Sequence, residues 1–515
     1  MSKLQSVCTL CMLVCASSGS WAQETSTPSA EPAPESSQQQ PMPAYGQDNA
    51  PPPVSENPPL SGLDLPSLEP HAAPLSYLQP AATFSESAET NAGNVAGGSG
   101  VSSVGRALGR LTLRRLWSNY DLALDYAGGI GYYSANGIGL KLLQQMDVVQ
   151  KITWKRGQLS LRDSFSYLPE GNFGGAYGST GSQGIGSLGS SSFGMFGGSS
   201  LGTFGLEPRI LNVSLVDISE ELTPKSAITA AGGYAFTHFF GNDVITNTSF
   251  IDSSQTSAQV GYNRILTPRT QIALVYGYQG FNFSFEGTGF HNHIIQALYG
   301  HRISGRMDLL IGAGPQFIFI GSACTELDAL TGNPHCSFNP SGLPVGSIPN
   351  TELGVAAQAR LRYKFTKSSL NLTYQRYLTS GSGLFLGSQS DIVRLQVQRP
   401  LSRVWSAFTD IGYSRQASLQ NLSPAEQSTC NLPGQTNPSL PPCPGVDANT
   451  ATSLFAGVGV HRALGRKFHA FATYQFNELF FDHSYCVPNT PCNRISNRNA
   501  LTFGLDWTPR PIRID

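Results

Sequence analysis

The residues best equipped for chemistry in this chain are its cysteines, two histidine pairs, and a set of arginines and aspartates at alternating positions. Of the nine cysteines, three fall within the first fifteen residues. The other six form close pairs: Cys324 with Cys336, Cys430 with Cys443, and Cys486 with Cys492. Each pair lies within one Pro-, Asn- or Ser-rich segment, so local disulfides are the simplest connectivity, and they need an oxidising compartment. A Cys-x11-Cys spacing without clustered histidines is poor for zinc. His291 and His293 share a strand face, and His461 and His469 straddle a basic turn. Both pairs fit solvated or interfacial histidines better than metal ligands, so no metal is expected. No G-x-S-x-G or H-E-x-x-H occurs, and no Lys-Ser/Thr follows a glycine run. These gaps argue against an enzyme and against a bound cofactor. A net charge of −1 offers no field for nucleic acid.

The alternating charges remain, and they lie on strands. In Glu352 to Phe365 (ELGVAAQARLRYKF), Leu353, Val355, Leu361, Tyr363 and Phe365 fall on one face. Glu352, Gln358, Arg360, Arg362 and Lys364 fall on the other, because side chains alternate across a strand. Gln271 to Phe281 and the last strand, with Leu501, Phe503, Leu505 and Trp507 opposite Thr502, Gly504 and Asp506, repeat the pattern. Charged residues make up only 13% of the chain, about half the usual share of a soluble protein.

About sixteen such segments run from 119–133 to 498–509. Short links such as Arg156-Gly157, Thr267-Pro-Arg-Thr270 and Ser402-Arg403 alternate with long ones, including 169–206, 322–350 and 419–450. That alternation predicts an all-β fold, an antiparallel up-and-down transmembrane β-barrel with tight turns at one rim and long loops at the other. No run of about eighteen apolar residues follows residue 22, so helices do not cross a membrane here. The expected barrel domain is 119–509. Trp154, Tyr363, Trp405, Phe468 and Trp507 lie beside the short turns or the chain end, where an aromatic girdle belongs. Tyr234, Phe317, Tyr413 and Tyr474 lie towards the loops.

Residues 1–22 read as a secretory signal, with Lys3, the apolar stretch Val7 to Ala16, and small residues before a cleavage point after Ala22. Residues 23–104 form a Pro/Ser/Gln-rich segment expected to be a disordered periplasmic linker, free to touch cell wall or a periplasmic partner. Residues 105–118 (within them RALGRLTLRRLW) read as a short helix or a lead-in to the first strand, and 510–515 as a tail. An even strand count leaves both termini on the periplasmic side and the long loops, with all six remaining cysteines, outside the cell.

At this point the chain resembles bacterial outer-membrane porin-like barrels, over about 119–509, on pattern rather than on a sharp motif. Segments such as YNRILTPRTQIALVYGYQ also resemble barrels associated with polysaccharide export. The resemblance implies outer-membrane lipid and the barrel-assembly machinery as partners, with Leu501, Phe503, Leu505 and Trp507 guiding assembly. It implies a channel for small polar solutes or glycans. Lumen candidates are then Arg360, Arg362, Lys364, Arg394 and Gln396, with Asp121, Asp125 and Asp410 of opposite sign. The glycine-rich loop 171–205 would narrow the pore by folding inward, or would be a mobile external loop. The alternative function is a non-conducting surface or adhesion barrel whose external loops are pinned by disulfides.

Overall fold

The computed structural model describes residues 76–91, 100–134, 139–168, 209–240, 242–243, 248–249, 251–283, 289–320, 326–327, 334–335, 350–381, 385–419, 450–481 and 495–514. These belong to one unit, Met42–Asp515. No helix among them is long and apolar enough to cross a membrane.

The barrel strands are β1 (Tyr77–Thr90), β2 (Val101–Leu116), β3 (Tyr120–Tyr133), β4 (Gly139–Trp154), β5 (Gly157–Leu168) and β6 (Arg209–Thr223). Then come β7 (Ser226–Phe239), β8 (Ser253–Thr267), β9 (Thr270–Phe283), β10 (Gly289–Ser304), β11 (Met307–Ile320) and β12 (Asn350–Lys364). The last are β13 (Ser369–Thr379), β14 (Ser388–Pro400), β15 (Trp405–Ser418), β16 (Thr450–Ala463), β17 (Phe468–Phe481) and β18 (Ile495–Trp507). Each pairs antiparallel with the next, and β18 returns to β1, with Ala82 opposite Trp507 and Thr90 opposite Asn499. The two-residue strand Ile512–Arg513 prolongs this seam along the start of β1. Among the described residues, 18 staves therefore close one barrel.

The all-β antiparallel up-and-down barrel is as expected, but larger by two strands. β1 lies inside the stretch read as linker (23–104), and the lead-in 105–118 is most of β2. The reason is contrast. The inward face of β1 is Gln79, Ala81, Thr83, Ser85, Ser87 and Glu89, while its outward face includes Pro80, Ala82, Glu86 and Ala88. Leu78 and Phe84 also lie on the outward face, but Glu86 and the small Ala82 and Ala88 dilute its period of two, and Pro80 reads as a breaker. In the barrel, Pro80 opposes Leu111 on β2, and on its other side the β18 register begins only at Ala82. Its missing N–H is thus no loss. The count rises by two and stays even, so both ends of the barrel remain at the short-turn rim.

The signal 1–22, the linker up to residue 75 and loop 171–205 lie outside the described residues. So do all three expected disulfides. Cys324 and Cys336 fall between β11 and β12, Cys430 and Cys443 between β15 and β16, and Cys486 and Cys492 between β17 and β18, each outside the described residues. The structure shows no disulfide among the described residues. What it does fix is that each pair falls within a single interstrand link on the long-loop side, so pairing within a link would staple one loop and cross no stave.

Burial alternates along the staves. Leu122, Leu274, Tyr276, Ile311, Val458 and Phe503 point outward, and Leu274 is 58% exposed. Ser85, Gln145, Gln255, Gln279, Gln316 and Thr473 point inward and are buried. Apolar outside and polar inside is the inverse of a water-soluble barrel, and so large an apolar surface requires an apolar solvent. Parts of the inner wall are apolar as well: Ala273, Val275, Leu298 and Leu310 form one inward cluster, and Tyr377, Ile392 and Phe455 another. Phe455 reaches Ile392 by lying over Gly412 on the intervening stave, where a Cβ would come within 2.0 Å of the ring.

Leu274→Arg should destabilise the barrel folded into lipid vesicles by about 2–4 kcal/mol, as expected for a charge on the lipid face. Denaturant titration in vesicles measures this, and an unchanged midpoint would mean the outer face does not meet hydrocarbon.

Candidate functional site

The inward face carries a series of ion pairs that link neighbouring staves. On β14 and β15, Arg394 Nε donates to Asp410 Oδ1 at 2.9 Å. On β12 and β11, Arg362 Nε donates to Asp308 Oδ2 at 2.9 Å. Arg114 on β2 donates to Asp121 on β3 at 2.8 Å, and Arg162 on β5 pairs with Asp217 on β6. At the closing seam the pattern becomes a cluster. Glu89 on β1 accepts from Arg106 Nη2 on β2 at 3.0 Å and from Arg498 Nε on β18 at 3.1 Å. Ser87 also donates to Glu89, at 2.6 Å. Glu89 and Arg498 are essentially inaccessible to solvent. Two guanidinium groups and a hydroxyl thus hold one carboxylate across first, second and last strands, and charge-assisted bonds of this type are strong.

All eight expected lumen residues fall on the inward phase of their strands. Arg362, Arg394, Asp410 and Asp121 are in the pairs above. Asp125 accepts from Thr112 at 2.6 Å, and Gln396 accepts from Asn371 at 3.3 Å. Arg360 stands beside Arg362, and Lys364 is exposed at the short-turn rim. The structure adds Arg106, Arg110 and Arg114, spaced by four on β2 and hence on one face. That spacing was available in the sequence, but only to a reading that made the segment a strand. Arg209 on β6 also points inward and is buried.

The expected girdle residues point outward at the short-turn rim. Trp154, Trp405, Phe468 and Trp507 are exposed there, and Tyr363 packs edge-on to Phe365 at 4.1 Å. Trp154 Nε1 donates to Glu220 at 2.7 Å. His291 and His293 face outward near the loop rim, His291 stacked on Phe319 at 5.0 Å and His293 Nδ1 2.8 Å from the Tyr276 hydroxyl. His461 faces inward between Phe408 and Phe471.

One segment departs from the regular wall. β12 and β13 pair only from Lys364↔Ser369 up to Ala357↔Arg376. Beyond that point the β13–β14 hairpin leaves β12 and leans inward. Leu378, of outward phase lower down the strand, is buried against Phe281, Phe290 and Ile318 on the inner faces of β9, β10 and β11. A Cβ on Gly387 would come within 2.3 Å of the Phe290 ring. Phe385 and Leu386 are buried too. Gly381 and Gly387 both have φ near +80°, a conformation glycine adopts without strain, and they flank the tip. This hairpin, not a longer loop, is the inward-folded element the described residues show. Its signal was SGSGLFLG, three large apolar residues where a hydrated loop would be polar.

No family model and no curated protein matches the chain. Solved structures of similar outline include three outer-membrane proteins of Pseudomonas aeruginosa. OpdK shares 8% identity, with 84% of this chain and 98% of that chain covered and a TM-score of 0.39. OccK5 (OpdH) shares 10%, with 84% and 98% covered and a TM-score of 0.40. OprD shares 10%, with 85% and 95% covered and a TM-score of 0.37. The barrel rests on its own strand register rather than on this likeness.

Glu89→Gln should cost about 3–5 kcal/mol, because it leaves Arg106 and Arg498 buried against a neutral amide. Heat-modifiable gel mobility and denaturant titration should both report a weakened barrel, whereas an unaltered barrel would show that the cluster does not secure the closing seam.

Proposed function

We propose that this protein is an outer-membrane channel for small polar solutes. The observation that carries the reading is the inverted polarity of a closed barrel: apolar and aromatic outside, ion-paired and polar inside. Such a wall suits lipid on one side and water on the other. Both barrel ends and the short turns lie at one rim, so delivery through a secretory signal makes that rim periplasmic and the long loops extracellular. Inside, Arg110, Arg209, Arg360 and Lys364 share the inward face with Asp125, Asp147 and Asp506, so charges of both signs line the path and it suits polar solutes. Polysaccharide export is a narrower use of the same path.

The inward hairpin sets the bore. It places Phe385 and Leu386 near the loop end of the lumen, where a charged wall alone would leave a wide aperture. A second reading, a non-conducting surface barrel, draws on the same observation, because a hairpin packed this tightly on Phe290 also serves as a plug.

Planar-bilayer recording separates the two. The wild type should show discrete steps, and removing residues 381–387 should enlarge them several-fold. Lys364→Glu should shift the reversal potential under a salt gradient towards cations. Silence from both wild type and deletion would leave the non-conducting reading.

A further inference from the structure

The outward face obeys the apolar rule along most staves; besides Asp163, which Asn212 and Ser214 satisfy on β5 and β6, it breaks the rule beside the point where β13 leaves β12. Tyr374 and Arg376 on β13, Asp391 on β14 and Arg415 on β15 all point outward there. The register sets Arg376 opposite Asp391 and Asp391 opposite Arg415, so the three charges form one row across three strands. Arg376 Nη1 lies 3.7 Å from Asp391 Oδ1, and the Tyr374 hydroxyl donates to the same oxygen at 2.9 Å. The Arg376 side chain is 40% exposed. Arg415 is exposed and makes no ion pair among the described residues. Asp391 balances one arginine, and one positive charge is left over. Arg415 sits one outward position beyond Tyr413, at the loop-side aromatic level, where a guanidinium reaches headgroups rather than hydrocarbon.

The notch next to this row is apolar. Where β13 has left, Leu353 and Val355 on β12 are 74% and 52% exposed, next to Phe317 on β11. An anion held by the row would therefore have room for a hydrocarbon chain on Leu353 and Val355. Free phosphate has no use for that notch. A second copy of the chain would have to bury Arg415 without an acid shown to meet it.

We propose that Arg376 and Arg415, with the notch between β12 and β13, form an external binding site for a phosphorylated glycolipid of the outer leaflet. The guanidinium groups engage its phosphate, a geometry that arginine matches bidentately, and an acyl chain covers Leu353 and Val355. The inference rests on the reading that the barrel spans the outer membrane with its long loops outward. It does not need the lumen to conduct.

Native mass spectrometry of the full-length mature protein in detergent tests it, with bisphosphorylated lipid A as the probe. Wild type should retain lipid A, and the Arg376→Gln/Arg415→Gln double variant should bind it about tenfold or more weakly, the loss expected for charge-assisted phosphate contacts. The Arg376→Lys/Arg415→Lys variant should recover part of the binding. Folding of each variant is checked by heat-modifiable mobility. Equal binding of dephosphorylated lipid A or of phosphatidylglycerol would overturn the proposal, as would undiminished binding by the double glutamine variant. Efficient crosslinking between copies through an Arg415→Cys substitution in native membranes would assign the row to self-association and overturn it too. A preparation that binds lipid A in this pattern but passes no current upholds the site and removes the channel.

Discussion

A chain that crosses an apolar solvent must pair each backbone N–H and C=O within itself, because nothing outside can do so. For a sheet this condition has one solution: the last strand must find the first. The rest of this structure follows from that meeting of β18 with β1. It draws into the wall a segment of weak alternation, Tyr77–Thr90, whose own sequence would leave it unstructured. It also explains why the most completely buried ionic group lies at the seam. Glu89 bridges Arg106 and Arg498, joining residues more than four hundred positions apart in sequence. A buried carboxylate is costly unless it is fully satisfied, and here three side chains satisfy it.

The same condition limits where the wall may open. Staves can separate only where their edges are compensated by water, headgroups or other protein. The one described departure, between β12 and β13, begins above Ala357↔Arg376, near the loop-side aromatic level. There the freed edge of β13 exchanges wall pairing for packing against Phe281, Phe290 and Ile318, aromatic and aliphatic residues of the inner surface. The inner wall is apolar where the hairpin docks and in two further patches, around Val275 and around Phe455, and polar or charged over much of the rest. A constriction and a notch in the outer surface thus arise from one displacement.

The lumen shows how little strand periodicity says about partners. Arg394 and Asp410 are sixteen residues apart and meet only because the β14–β15 register sets them diagonally. Arg362 and Asp308 are directly opposed on β12 and β11, and a one-residue slip of either strand would turn one of them towards lipid. The ion pairs therefore record the register as much as they line a path.

Much of this was legible in the chain alone. The faces of Glu352–Phe365, the turns such as Thr267-Pro-Arg-Thr270, the girdle tryptophans and the inward phase of Arg360, Arg362, Lys364, Arg394, Gln396, Asp121, Asp125 and Asp410 are local properties, because a side chain's face depends only on its position in its own strand. The first two strands were not legible. A segment such as Tyr77–Thr90, with small and polar residues and one Pro, becomes a stave only when neighbours on both sides supply its hydrogen bonds. The Glu89 cluster, the choice of acid for each arginine and the inward lean of the β13–β14 hairpin also belong to the tertiary structure. Each depends on contacts between residues distant in the chain, and no local pattern encodes which of them will meet.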